Sequence, residues 1–311
     1  MLSVEHLIDM NDLTAQDISC ILDHARSFAE INRRSIKKVP TLRGKTIVNM
    51  FMEPSTRTRS SFELAEKRLS ADSLNFSPSS SAVKKGETLK DTTLTLDAMG
   101  IDAIVIRHRY AGSPYMLTQY TNAKIINAGD GKHQHPTQAL LDLYTMREHF
   151  GSLEGLRVGI VGDVVHSRVL GSLAPALKKM GAQVVVVGPP TFMPARPDIL
   201  GVECCSDFNA VLPSLDVVYM LRIQLERVEG APIPSLREYN MLFGLDLKRE
   251  LLLKKHCLVM HPGPMNRGVE ISTELADGER SCILEQVSAG VAVRMAVMYL
   301  LLGGEDGGSL A

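Results

Sequence analysis

The chain has no excess of charge of either sign: 34 Lys and Arg stand against 35 Asp and Glu over 311 residues, a net charge of −1. No long basic or acidic block occurs, which removes the electrostatic case for a nucleic-acid or anionic-membrane partner, since both are bound through concentrated positive charge. Cysteine is scarce as well. Cys20, Cys204, Cys205, Cys257 and Cys282 form an odd set without C-x-x-C spacing, so neither a zinc knuckle nor a disulfide framework is indicated, and we read them as reduced and structural. Neither G-x-G-x-x-G nor G-x-x-x-x-G-K-[ST] is present. Gly159-Ile160-Val161-Gly162-Asp163 approaches the first without its spacing, which disfavours nucleotide binding. The residues from Met1 to His6 contain no basic segment leading into an apolar stretch, and the most apolar helix is interrupted by Arg294. A cytoplasmic protein is the expectation.

What is present is an alternation of apolar runs and amphipathic stretches, in a chain 45% hydrophobic and long enough for two domains. Thr14 to Ile31 is predicted as a helix, with Ile18, Ile21, Leu22, Ala25 and Phe28 on one face. Strands are predicted at Thr46–Phe51, near Ser73–Phe76, at Ala103–Ile106 and at Lys124–Asn127. Helices are predicted over Ser60–Leu69, Glu87–Met99 and near Pro114–Thr121. Ser77 to Glu87 is rich in serine and reads as a loop. The second half repeats the pattern: strands at Leu156–Val161, Gln183–Val187 and Asp216–Leu221, a helix at Ser167–Met180, a last helix at Gln286–Leu302 and a Gly-rich tail. The fold class is therefore α/β, with two doubly wound parallel-sheet domains.

One stretch stands out. In Phe51-Met52-Glu53-Pro54-Ser55-Thr56-Arg57-Thr58-Arg59-Ser60-Ser61-Phe62-Glu63 a buried strand runs into a helix through a cluster of hydroxyls, with Ser55 to Thr58 at the turn. Free N–H groups and the positive dipole end favour an anion there. Ser55, Thr56 and Thr58 add donors, and Arg57 adds a bidentate fork. Arg59 is placed to pair with Glu63 instead. Phosphate suits that combination.

Ligands of open α/β sheets gather beyond the carboxyl ends of strands, so the residues after each apolar run carry the next information. Arg107-His108 follow one strand, and Gly129 to Gln138 follow another. Pro136 fits a first helical turn, which puts His135 at the N-cap, where the dipole favours a neutral imidazole able to donate to a developing oxyanion, with a simple capping role as the alternative. Gln138 can turn to the same ligand, whereas His108, His133 and His166 are read as structural. In the second half Arg168 and Arg222 could hold two carboxylates, as a dicarboxylic amino acid offers, though an internal salt bridge is the alternative for each. Pro262 and Pro264 around Gly263 form a stiff turn that could present carbonyls to a ligand N–H, and one X-Pro bond there is a candidate for cis.

With Ser55-Thr56-Arg57-Thr58-Arg59, Lys84-Lys85-Gly86-Glu87, His135-Pro136-Thr137-Gln138, Arg222-Ile223-Gln224 and His261-Pro262-Gly263-Pro264, the chain resembles the catalytic chains of the aspartate carbamoyltransferase (aspartate transcarbamylase) family over nearly its whole length. The first and third motifs are shared with the ornithine carbamoyltransferases. Those resemble His-Cys-Leu-Pro where this chain has His261 to Pro264, and they lack the Arg222/Gln224 pair.

The resemblance implies a carbamoyl-phosphate-binding domain over 1–134, an aspartate-binding domain over 135–284 with helix 135–150 connecting, and a C-terminal helix, 285–304, returning to the first. It implies carbamoyl phosphate on Ser55, Thr56, Arg57, Thr58, Ser81, Lys85, Arg107, His135, Gln138, Gly263 and Pro264, and aspartate on Lys85, Arg168, Arg222 and Gln224. Arg57, Thr58, Lys85, Arg107 and His135 would carry catalysis, with no cofactor or metal required. The product would be N-carbamoyl-L-aspartate, an early step of de novo pyrimidine biosynthesis, and domain closure would complete the site. The resemblance further implies a homotrimer in which Ser81 and Lys85 reach the neighbour's site. Gly263 stands where some members carry Leu, and Met265 to Glu270 resembles members that work without regulatory chains or beside dihydroorotase, so the choice between those partners stays open. Residues between Arg227 and Asp246 match loosely and receive no role.

Overall fold

The computed structural model describes residues 2–76, 87–224 and 233–303. Ser81, Lys84, Lys85 and Gly86 lie outside these, as do residues 225–232 and the tail. In chain order the elements are α1 (Ala15–Ile31), β1 (Thr46–Phe51), α2 (Thr56–Arg68), β2 (Asp72–Phe76), α3 (Leu89–Ala98), β3 (Ala103–His108), α4 (Ser113–Leu117), β4 (Lys124–Asp130) and α5 (Pro136–Phe150). They continue with β5 (Arg157–Val161), α6 (Arg168–Lys179), β6 (Gln183–Val187), α7 (Pro197–Leu200), β7 (Glu203–Cys205), α8 (Phe208–Val211), β8 (Val217–Met220), α9 (Leu236–Phe243), α10 (Leu247–Glu250), β9 (Leu258–Met260), α11 (Thr273–Ala276) and α12 (Ile283–Leu302).

The chain divides into two compact units, one of Met1–Tyr144 with Val287–Ala311 and one of Thr145–Gln286. The chain therefore leaves the first unit within α5 and returns to it within α12. Unit 1 holds a four-stranded parallel sheet in the order β2-β1-β3-β4, and unit 2 a five-stranded parallel sheet in the order β7-β6-β5-β8-β9. Both sheets are doubly wound, as the alternation predicts, and each reverses its strand order once, between β1 and β3 and between β5 and β8. At such a reversal the crossovers leave on opposite faces, and a crevice opens beyond the strand ends.

Sequence explains most of these elements locally. Thr14 caps α1 by accepting the Asp17 N–H at 3.1 Å, while Asp17 reaches back to the Thr14 N–H at 2.9 Å, a reciprocal pair that satisfies two orphan donors. Val48, Met50, Ile104, Ile106 and Ile125 form part of one core, and Val161, Val187, Val218, Met220 and Val259 part of the other. Burial of each such side chain contributes about 1.5–3 kcal/mol.

Several boundaries differ from expectation. Helix α2 begins at Thr56 rather than Ser60, so the hydroxyl cluster is its first turn. Helix α4 stops at Leu117, four residues before Thr121, and β4 runs three residues past Asn127, to Asp130. Helix α12 starts at Ile283 rather than Gln286 because the Cys282 N–H is held by the Val259 carbonyl of β9 at 2.9 Å, an anchor with no local signature. The three-residue strands β7 and β9 are too short to announce themselves by period. Among the described residues the five cysteines are free, and burial pushes the Cys257 and Cys282 thiols up to about 12, which fits their reading as reduced.

Candidate active site

In unit 1 the carboxyl ends of β1, β3 and β4 lie side by side. Phe51 pairs with Arg107 across β1 and β3, and the Met52 N–H donates to the Arg107 carbonyl at 2.9 Å. Arg107 thus stands beside the strand that leads into Ser55 to Thr58. Ser55 takes the N-cap position of α2 in extended backbone, yet its hydroxyl makes no capping bond. In α1, α3, α6 and α9 the corresponding Thr14, Thr88, Ser167 and Ser235 each accept a first-turn N–H. The first turn of α2 therefore presents N–H groups that no cap hydroxyl satisfies, with Thr56 and Arg57 exposed and Thr58 buried. That is the electrostatic arrangement an anion requires. Arg59 turns away to Glu63, Nε to Oε1 at 2.8 Å, in the structural role expected of it.

Arg107 is held in place from two sides, with Nη1 donating to the Ala128 carbonyl at 3.3 Å and Nε at 3.4 Å from Glu53 Oε2. Beyond β4, Asp130 organises the turn. Its carboxylate accepts from Asn127 Nδ2, the Gln134 N–H and the Gly112 N–H at 2.9, 3.1 and 2.8 Å. His133 is pinned between Asp130 and Asp9, whose hydrogen bonds push its pKa up to about 10, so it stands as an imidazolium. Two residues on, buried His135 precedes α5 and its carbonyl accepts the Gln138 and Ala139 N–H groups at 2.9 and 3.3 Å. That is the N-cap position. Gln138 donates from Nε2 to Asp142 Oδ1 at 3.0 Å. Arg294, whose guanidinium burial lowers to about 9, rests over the Phe62 ring and donates to Ser61 Oγ at 2.8 Å. His108 accepts the Tyr110 N–H and contacts Ser113 Oγ, a structural role.

Unit 2 gathers its polar groups beyond β5, β8 and β9. Gly162 has φ +126, and a Cβ there would stand 2.6 Å from the Leu221 carbonyl oxygen, so only glycine lets the ends of β5 and β8 approach so closely. Asp163 follows, fully buried. It accepts the His166 N–H and faces His166 Nδ1 at 3.2 and 2.8 Å on one oxygen, and accepts the Gln224 N–H at 3.2 Å on the other. A buried carboxylate is costly unless so satisfied. Here it fastens the segment carrying Arg222 and Gln224 to the start of α6, where buried Arg168 follows the Ser167 cap. After β9, His261 accepts the Gly263 N–H on Nδ1 at 2.8 Å, so Nε2 carries the proton toward Glu270 Oε1 at 3.1 Å. The Gly263-Pro264 bond is cis, one of the X-Pro bonds singled out by sequence.

Residues 5–148 match the family model described as aspartate/ornithine carbamoyltransferase, carbamoyl-P binding domain, and residues 154–301 match its Asp/Orn binding domain. The chain belongs to the aspartate/ornithine carbamoyltransferase family. It is 54% identical over 303 residues to the aspartate carbamoyltransferase catalytic subunit of Acidothermus cellulolyticus, covering 97% of this chain and 94% of that relative. Among solved structures it is similar to aspartate transcarbamoylase from Trypanosoma cruzi in complex with carbamoyl phosphate and aspartate, at 29% identity and TM-score 0.87 over 96% of each chain. The catalytic subunit of the M. Jannaschii enzyme is 34% identical, with TM-score 0.85, over 98% of this chain and all of that one.

The two family models fall in turn on the stretch holding the first sheet and the stretch holding the second. The residues that sequence reasoning passed over, Glu53, Asp130, Asp142, Asp163 and Arg294, all hold another site residue or its segment. Asp130 and Asp163 share a legible signal: each carboxylate stands at or just past the end of a buried parallel strand, next to a glycine, where burial is tolerated only if the group holds donors.

Proposed function

We infer that this chain transfers the carbamoyl group of carbamoyl phosphate to the α-amine of L-aspartate, giving N-carbamoyl-L-aspartate and phosphate, an early step of pyrimidine biosynthesis. The observation that carries the reading is the uncapped first turn of α2 beside Arg107, in a chain whose relatives bear that activity in their name. Phosphate binds Ser55, Thr56, Arg57, Thr58 and Arg107, and the carbonyl oxygen faces Thr58, Arg107 and His135. Gln138 and the Gly263-Pro264 turn take the carbamoyl amino group. Arg168 receives the α-carboxylate of aspartate, and Arg222 with Gln224 receives the β-carboxylate. The uncharged amine attacks the carbamoyl carbon, the C–N bond forms, and the C–O bond to phosphate breaks. The amine proton passes to the departing phosphate. Rate then comes from orientation and from donors aimed at the developing oxyanion, with no nucleophilic side chain needed.

Colorimetric measurement of carbamoyl transfer to aspartate, ornithine and N-acetylated amino acids tests the assignment. Turnover is expected with aspartate, and failure with aspartate alone would overturn it.

The assembly we propose is a ring of three copies in which Lys85 and Ser81 serve the neighbour's site. A closed ring of head-to-tail interfaces leaves no Lys85 unused. Arg57→Ala and Lys85→Ala chains, each inactive alone, should regain about one quarter of wild-type activity when unfolded together and reassembled in equal amounts, by counting ordered neighbour pairs. Mixed trimers without activity would show that each site is built from one chain. The "catalytic subunit" naming of the relatives supports a regulatory chain as partner, while the resemblance of Met265 to Glu270 supports members that work without one or beside dihydroorotase.

A further inference from the structure

Away from every residue given a role in carbamoyl transfer, three metal-binding side chains meet within unit 2. His149 comes from the last turn of α5, Cys282 immediately precedes α12, and Glu285 lies in the first turn of α12. Their ligand atoms all lie within 4.8 Å of one another. His149 Nε2 stands 2.6 Å from Glu285 Oε2 and 3.5 Å from Cys282 Sγ.

We propose that His149, Cys282 and Glu285 bind one zinc-like divalent cation that clips the end of α5 to the start of α12. A tetrahedral ion with bonds of about 2.3 Å to sulfur and 2.0–2.1 Å to nitrogen and oxygen sets its S and N ligands about 3.5 Å apart and its N and O ligands about 3.3 Å apart. The first spacing is already present. The second requires the His149–Glu285 pair to open by less than about 1 Å, which the exposed Glu285 side chain reaches by rotating. The donor set decides the class of ion. Thiolate, imidazole and carboxylate together suit zinc or cobalt, whereas magnesium and calcium take oxygen ligands. Charge also balances, because thiolate and carboxylate neutralise a dication while the imidazole binds neutral; the thiol proton leaves to solvent.

The backbone around Cys282 is fixed beforehand. Its N–H donates to the Val259 carbonyl of β9 at 2.9 Å, and its carbonyl accepts the Gln286 N–H at 2.8 Å, so the buried sulfur is anchored to the sheet. His149 and Glu285 remain 34% and 58% exposed, which gives an ion a way in and leaves water a fourth position. The negative dipole end of α5 and the positive end of α12 meet here and largely offset, so the ion would be held by the thiolate and carboxylate charges rather than by helix dipoles. The alternative state of the trio is a surface hydrogen-bonded His149–Glu285 pair beside a buried thiol, and such an exposed pair contributes little that an ion would have to displace.

Metal-free full-length protein titrated with Co2+ tests the site, with thiolate-to-cobalt charge-transfer absorption as the readout. One equivalent per chain should bind and be displaced by Zn2+. Cys282→Ala should abolish the absorption, and His149→Ala should weaken binding at least about tenfold. A Cys204→Ala/Cys205→Ala double variant should leave it unchanged. Zn2+ should raise the Tm of wild type by several degrees and that of Cys282→Ala by none. Turnover of aspartate, which none of the three residues serves, checks that each variant folds; Cys282→Ser and Glu285→Gln replace any that does not. Absence of saturable absorption up to millimolar Co2+ would leave only the His149–Glu285 hydrogen bond, and absorption that survives Cys282→Ala would assign it to other cysteines. Either result overturns the site.

Discussion

Helices α2 and α6 each bring an arginine to the carboxyl end of the first strand of their sheet, and they begin in opposite ways. The hydroxyl of Ser55 does not cap α2, whereas Ser167 Oγ accepts the Val169 N–H at 3.2 Å and caps α6. A capped helix has already used part of its first-turn donor set, so α6 offers Arg168 as a fork and little else. An uncapped one offers backbone N–H groups, hydroxyls and the Arg57 guanidinium together. The difference follows the chemistry proposed for each. Phosphate gains charge as the C–O bond breaks, and fixed N–H dipoles stabilise that change without rearranging. The carboxylates of aspartate keep their charge throughout, and forks that hold them equally in ground and transition state suffice.

The comparison breaks if the two units respond alike to mutation. In unit 1 His135→Ala should lower kcat by roughly ten- to a thousandfold, the range for losing one oxyanion donor, with carbamoyl-phosphate binding changed far less. Steady-state kinetics alongside equilibrium binding of carbamoyl phosphate separate the two. Collapsed binding with intact turnover would give His135 a ground-state role and erase the contrast. In unit 2 Arg222→Ala should raise KM for aspartate by roughly ten- to a hundredfold while carbamoyl-phosphate affinity stays put, because only uniform binding of a spectator carboxylate is lost. An equal loss for both substrates would make Arg222 a structural arginine.

A smaller effect sharpens the same point. In Asp163→Asn one carboxylate oxygen becomes an NH2 group facing either the Gln224 N–H or His166, which sets donor against donor. The strand ends it joins should loosen, raising KM for aspartate by about tenfold with kcat nearly kept. A fall in kcat with KM unchanged would contradict a positioning role on the aspartate side.

How much of this was legible in the sequence varies with the range of the interaction. The hydroxyl cluster, the position of His135 before Pro136 and the Arg59–Glu63 pair are local, and periodicity with helix-start chemistry reads them directly. Whether the Ser55 hydroxyl caps is a matter of its rotamer, which no pattern encodes. Asp163 escaped because one of its partners, Gln224, lies 61 residues away, and Asp130 because its donors include Gly112 from another connection. The start of α12 is hidden for the same reason: the Val259 anchor is distant in sequence. In the sequence Arg294 is only a break in an apolar helix, since nothing nearby announces the Phe62 ring and Ser61 hydroxyl it meets.

The smallest effect on turnover, and a control on everything above, is expected from Glu66. It sits on the same helix as the proposed anion-binding turn but two to three turns deeper, fully buried, with Asn49 Nδ2 donating to its Oε2 at 2.8 Å. Burial pushes its pKa up to about 7 from an ordinary 4.5. The folded chain therefore keeps this proton at pH values where the unfolded chain has lost it. Its contribution to stability is complete below about 4.5 and is lost as pH rises through about 7, up to about 3 kcal/mol across that window. Glu66→Gln keeps the shape and the hydrogen-bonding capacity but cannot ionise. Chemical denaturation from pH 5 to 8 should show wild type losing stability relative to the variant as pH rises, with kcat and both KM values unchanged at pH 6. Parallel stability profiles would mean that Glu66 is ionised in the fold, with a charge held by Asn49 and its surroundings rather than a neutral acid.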